Sequence, residues 1–149
     1  MPNATLVGVD NSTAVGTDAS PFHVTQMLGT PVNVSSGNVA AATANVALPA
    51  VSGKMNYITG FEITGLGATS QAVITVTLVG LNSGSGTTST MTYLMNIPAT
   101  SATTAISPLM VSFEVPMAAY AVNTAITLNV PSFGTGNTNA ASCIHGFVA

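Results

Sequence analysis

Across 149 residues this chain carries five charged side chains, Asp10, Asp18, Lys54, Glu62 and Glu114, for a formal net charge of −3. The length fits one domain with a real core, and one lysine leaves no electrostatic footprint for nucleic acid or an anionic membrane surface. No apolar run approaches the ~18 residues of a spanning helix, no secretory leader is expected after Met1, and the lone Cys143 excludes an internal disulfide framework.

Charged residues make up 3% of the chain, where about 25% is usual. Water-facing positions therefore fall to Thr, Ser, Asn and Gly. Such a surface hydrates well but gives little repulsion between copies, so the composition predicts a chain that lives in an assembly.

Residues 1–37 hold Asp10, Asp18, His23 and three prolines, with weak periodicity. They are predicted to form an extended arm, with a short strand near 22–28. Residues 38–48 are rich in alanine, but Thr43, Asn45 and Pro49 interrupt them, and a strand is expected. Small side chains there let another chain approach.

In residues 54–64, Met55, Tyr57, Phe61 and Ile63 alternate with Asn56, Glu62 and Thr64, the period of a half-buried strand. A glycine-containing turn over 65–71 follows. Then Ile74, Val76 and Leu78 share one face, and Val73, Thr75, Thr77 and Val79 the other. The two strands are expected to pair at the centre of a sheet.

Residues 82–89 (NSGSGTTS) form an exposed loop. Met91, Tyr93, Met95 and Ile97 define the next strand, ended by Pro98 because proline cannot donate to a ladder. Leu109, Val111 and Phe113 mark a strand closed by Pro116. Ile126, Leu128 and Val130 mark another, stopped by Pro131. After a turn-rich 133–139, residues 142–148 make the last strand.

Seven or eight strands without an amphipathic helix predict an all-β fold, an antiparallel β-sandwich of jelly-roll or immunoglobulin-like type. The arm is 1–37 and the sandwich 38–149. Edge strands with so little charge lack the usual protection against pairing, and partner subunits are expected to cover them.

Chemistry-bearing residues are few. Cys143 and His145 share a face of the last strand, where a nucleophile–base pair or two metal ligands would sit. No second Cys or His pair accompanies them, and a packed thiol with a hydrogen-bonded imidazole is the plainer reading. His23 lies far off, in the arm. Glu62 and Glu114 are the acids of the folded part. They would serve a glycosidase only if they faced each other across a cleft; otherwise they face solvent, or one pairs with Lys54.

Without tryptophan, Tyr57, Tyr93 and Tyr120 make a poor sugar platform, and the first two suit packing. Gly65-Leu66-Gly67 and Gly84-Ser85-Gly86 lack the lysine and the strand–loop–helix setting of phosphate loops. Asn3, Asn11 and Asn33 open N-x-S/T triplets that a Ser/Thr-rich chain produces by chance. Met55, Met91, Met95, Met110 and Met117 suit gap filling in a core or interface. No catalytic, cofactor-binding or metal residue is assigned, and no enzyme is predicted.

Residues 47–69 (ALPAVSGKMNYITGFEITGLGAT), 73–81 (VITVTLVGL) and 115–148 resemble small virion proteins of tailed bacteriophages. The likeness covers the last two-thirds of the chain. It implies a β-sandwich structural protein of the particle, a capsid decoration (cement) protein or a head or tail fibre component. It further implies a homo-oligomer, a trimer, bound to the major capsid protein or other virion subunits. That protein would be made in the host cytoplasm and sited on the capsid surface, without nucleic acid, membrane or cofactor. An adhesion module, with loops 82–89, 99–106 and 133–139 exposed, is the alternative.

Overall fold

Apolar side chains at every second position need a second apolar surface to face. The computed structural model, which describes residues 29–84, 86–100 and 103–149, meets that need with two four-stranded sheets. The strands are β1 (Thr30–Ser35), β2 (Val46–Leu48), β3 (Asn56–Gly65), β4 (Ala72–Asn82), β5 (Thr88–Ile97), β6 (Leu109–Ala118), β7 (Ile126–Asn129) and β8 (Ala140–Val148). No α-helix occurs among the described residues.

One sheet runs β1-β8-β3-β6, the other β2-β7-β4-β5, with every pairing antiparallel. The pairs β1·β8, β2·β7, β3·β6 and β4·β5 nest like the rungs of one long hairpin. Rolling that hairpin sets β8 beside β3 and β7 beside β4. This strand order is a jelly roll, so the immunoglobulin-like alternative falls. Between the sheets lie Phe61, Phe133, Leu48, Ile58, Ile63, Leu78, Ile126, Leu128 and Ile144, all essentially without solvent contact.

The expected β3–β4 pair does not form. β3 is flanked by β8 and β6, and β4 by β7 and β5. Residues 66–71 cross from one sheet to the other, so the core faces of β3 and β4 belong to opposite walls. Two strongly apolar faces gain more from burial against each other than from lying side by side.

The alternation of β3 also breaks. Its register shifts between Ile58 and Gly60, a bulge that moves the core face from Asn56 and Ile58 to Phe61 and Ile63. Tyr57 therefore points outward, where it stacks on Phe147 with ring centroids 4.9 Å apart. Asn56, expected on the solvent side, is buried. A second bulge, at Gly80 of β4, brings Leu81 into the core. Gly80 has φ +89°, which glycine adopts without a Cβ penalty.

β6 runs on through Pro116 to Ala118. In β3·β6, Ser112 pairs with Gly60 and Met117 with Ile58, so residues 113–116 bulge opposite Thr59 alone. Proline at such a bulge in an edge strand costs no ladder bond. Within residues 38–48 only Val46–Leu48 is strand, with Val39 bridging Ala140. Ala41, at φ +48°, turns the chain between them.

The sheet also takes in Thr30–Ser35, which the sequence reading placed in the arm. Residues 1–28, and with them the strand expected near 22–28, lie outside the described residues.

Two buried asparagines pin opposite ends of the sandwich. Asn56 Nδ2 donates to the carbonyls of Pro49 (2.9 Å) and Thr124 (2.8 Å). Asn137 Nδ2 donates to those of Leu66 (2.7 Å), Gly67 (3.3 Å) and Asn139 (3.1 Å). Each ties together carbonyls from separate loops; that of Asn139 also accepts from the Leu66 N–H at 2.9 Å.

Candidate functional site

Along β8, Ser142 and Ile144 turn into the core while Cys143 and His145 turn outward. Ser142 Oγ donates to the Ala44 carbonyl. His145 stands in register with Asn33 of β1 on one side and Gly60 of β3 on the other. Glycine puts no side chain in the way of the ring, which bridges all three strands. Nδ1 lies 3.1 Å from Asn33 Oδ1, and Nε2 lies 3.3 Å from Glu62 Oε1.

An ionised carboxylate only accepts, so Nε2 carries a proton. At Nδ1 a protonated ring donates to Asn33 Oδ1, whereas a neutral ring accepts from the amide once it has turned over. The clasp holds in either charge state. Its His145 and Glu62 side chains are 36% and 44% exposed, which limits it to about 0.2–1 kcal/mol.

Beside the clasp a groove of about 440 Å³ runs over the β3 bulge, lined by Thr59, Glu62, Met110, Ser112 and His145 among others. A second groove, of about 390 Å³, lies between the end of β5 and the start of β6, with Leu94, Asn96, Pro98, Ile106 and Leu109 in its walls.

The outward Cys143 is in register with Ser35 and Glu62. Both nitrogens of His145 are engaged elsewhere, so the imidazole has no free position from which to take the thiol proton. Glu62 and Glu114 are not set face to face. Glu114 lies in the bulge opposite Thr59, three residues from Glu62 and so about 10 Å away along the strand. The ion pair among the described residues is Glu62–His145, and it does not use Lys54. No group of three His, Cys, Asp or Glu side chains suited to a metal occurs among the described residues. His23, Asn3, Asn11 and Ser85 lie outside them.

Asn33, flagged only as part of a triplet, is the partner of His145. Gly65-Leu66-Gly67 belongs to the loop that Asn137 clips. Tyr93 packs inward, its ring edge-on to Phe61 at 5.1 Å and its hydroxyl 3.7 Å from Met91 Sδ. Burial pushes its phenol pKa upward. Nothing in the sequence distinguished Asn33, Asn56, Asn137 and Ser142 from the many other polar residues. Their roles come from partners distant in the chain.

No protein-family model matches the chain, and no curated protein matches it. Among solved structures, a chain titled as the structure of infectious bursal disease virus Gt strain is 12% identical, with a TM-score of 0.14. The match takes in 81% of this chain and 40% of that one, so the present chain spans about two fifths of its length. A superposition of that quality carries neither a fold nor a role.

Proposed function

We propose that the chain is a structural subunit of a virus-like particle, a decoration (cement) protein that binds an outer capsid lattice as a multimer. The observation that carries this reading is its surface. Three charged side chains, Lys54, Glu62 and Glu114, serve the whole described sandwich, while Val73, Leu94, Met110, Val115, Tyr120 and Val122 stand exposed. Large apolar side chains standing exposed on so sparsely charged a sandwich are the kind of surface that a neighbour covers. An eight-stranded jelly roll suits the task, since its rigidity comes from its own core and its outer faces are left for contacts.

Purified particles from the source of this chain test the reading. The subunit is expected at symmetry-related sites on the outer shell, in fixed copy number. Particles stripped of it are expected to lose mechanical or thermal resistance and to regain it when the subunit is added back. Its absence from particles overturns the reading.

The groove beside His145 favours a second reading, an adhesion module. It groups a carboxylate, an imidazole and two hydroxyls around a concavity, the type of site that fixes a small polar ligand. Glycan-array binding that disappears in Glu62→Gln would carry that reading instead.

A further inference from the structure

The geometry points to a neutral saccharide as the ligand of the groove beside His145, one sugar ring lying against Tyr57 and its hydroxyls held by Glu62, Thr59 and Ser112. It rests on the reading of that groove as an adhesion site and names the ligand class. The capsid reading stands apart from it.

Alternation along residues 54–64 puts Tyr57 on the core side, where it is no use as a platform. The β3 bulge reverses that. Tyr57 turns outward and stacks on Phe147, with 4.9 Å between ring centroids and 9° between the ring planes. Side chains on a sheet stand roughly perpendicular to it, so the two rings stand side by side. Phe147 covers one face of Tyr57. On the other side the residue in register is Ala118 of β6, which carries only a methyl group. The open ring face is therefore the one toward β6, the strand that walls the groove.

Polar groups follow in the next row. His145 is two residues from Phe147 along β8, about 7 Å, and its Nε2 holds Glu62 Oε1 at 3.3 Å. Glu62 is 44% exposed, and its Oε2 makes no hydrogen bond among the described residues, so that oxygen is available to a ligand hydroxyl. Gly60 lies between, where a Cβ would meet the Val111 carbonyl oxygen at 2.6 Å. Thr59 and Ser112 add hydroxyls that both donate and accept. At about 440 Å³ the groove falls within the ~300–1,000 Å³ of small-molecule sites.

A sugar ring matches this set, with an apolar C–H face for the tyrosine and an edge of hydroxyls that donate and accept. An anion does not. No lysine or arginine lines the groove, and Glu62 repels a sialic acid or a sulfate. A quaternary ammonium ion suits Glu62 and an aromatic face, but it leaves both hydroxyls unused. An open groove binds weakly in one copy, and copies held in one assembly add avidity.

The test is a glycan array carrying neutral, sialylated and sulfated oligosaccharides, probed with the full-length chain. Titrations of the strongest saccharide and of choline follow. Neutral glycans are expected to bind. Tyr57→Leu and Glu62→Gln are each expected to weaken that binding at least tenfold, and Tyr57→Phe less than threefold. Ser112→Met, at an exposed position on the groove wall, leaves the stack intact and is expected to weaken it as strongly. Thr75→Ala, on the other sheet, is expected to change nothing. Melting curves check that each variant is folded.

Binding confined to sialylated or sulfated glycans, or to choline, overturns the ligand class. So does neutral-glycan binding that both Tyr57→Leu and Ser112→Met leave unchanged. Either result leaves the adhesion reading standing wherever Glu62→Gln abolishes the binding. No binding to any glycan or to choline overturns both.

Discussion

Asn137 donates from one amide nitrogen to three loop carbonyls, and its Oδ1 finds no partner among the described residues. The donor half of the amide is therefore what holds the loops. Asn137→Asp keeps the shape but turns that donor into an acceptor facing three others. The amide has two N–H groups, one of them shared between two carbonyls, and losing both at about 1 kcal/mol each, before any charge repulsion, predicts at least ~2 kcal/mol of destabilisation. Urea unfolding measures it, and a cost below about 1 kcal/mol would show that the clip does not carry the loops.

Tyr93 supplies a pH dependence at the same scale. Its pKa is raised in the folded state because burial disfavours the phenolate. The folded form then holds its proton to higher pH than the unfolded chain does. The stabilisation is whole below the unfolded value, near 10, and is lost as pH rises above it. Melting temperature is expected to fall in that alkaline range for the wild type and to fall less for Tyr93→Phe.

Two bulges give the strands their final phase. At Gly80 the backbone sits at φ +89°, and a Cβ would run into the Ala125 carbonyl oxygen. Gly80→Ala is therefore expected to cost more than about 1 kcal/mol, through strain and through a forced shift of β7. If the bulge straightens instead, Leu81 turns out of the core, and increased binding of a hydrophobic dye would report it. The β3 bulge works the same way in reverse: it turns Tyr57 outward and Ile58 inward. Both bulges involve glycine, Gly60 and Gly80, yet glycine is common throughout this chain. The residues alone did not mark these two.

At the scale of the molecule, long-range charge is nearly absent. Assembly that relies on apolar edges and backbone pairing is expected to change little between low and high salt, because there are few charges to screen. Sedimentation or light scattering across a salt series checks this. A steep loss of association with salt would show that Glu62, Glu114 or the aspartates of residues 1–28 take part. Lysine or glutamate on an edge strand is the ordinary guard against pairing, and β5, one of the four end strands, has neither.

What the chain order of residues determined is local. Alternation with period two depends on nothing beyond the strand itself, so β4, β5, β7 and β8 were legible, as was an all-β sandwich with an uncharged surface. What the tertiary structure alone decided is neighbourhood. β3 and β4 look like a hairpin in sequence, but each buries more by facing the other across the core, and their sheet partners come from the far end of the chain. Asn33, His145 and Glu62 meet for the same reason. A jelly roll pairs its first strand with its last, and contacts made across more than a hundred residues leave no trace in local pattern.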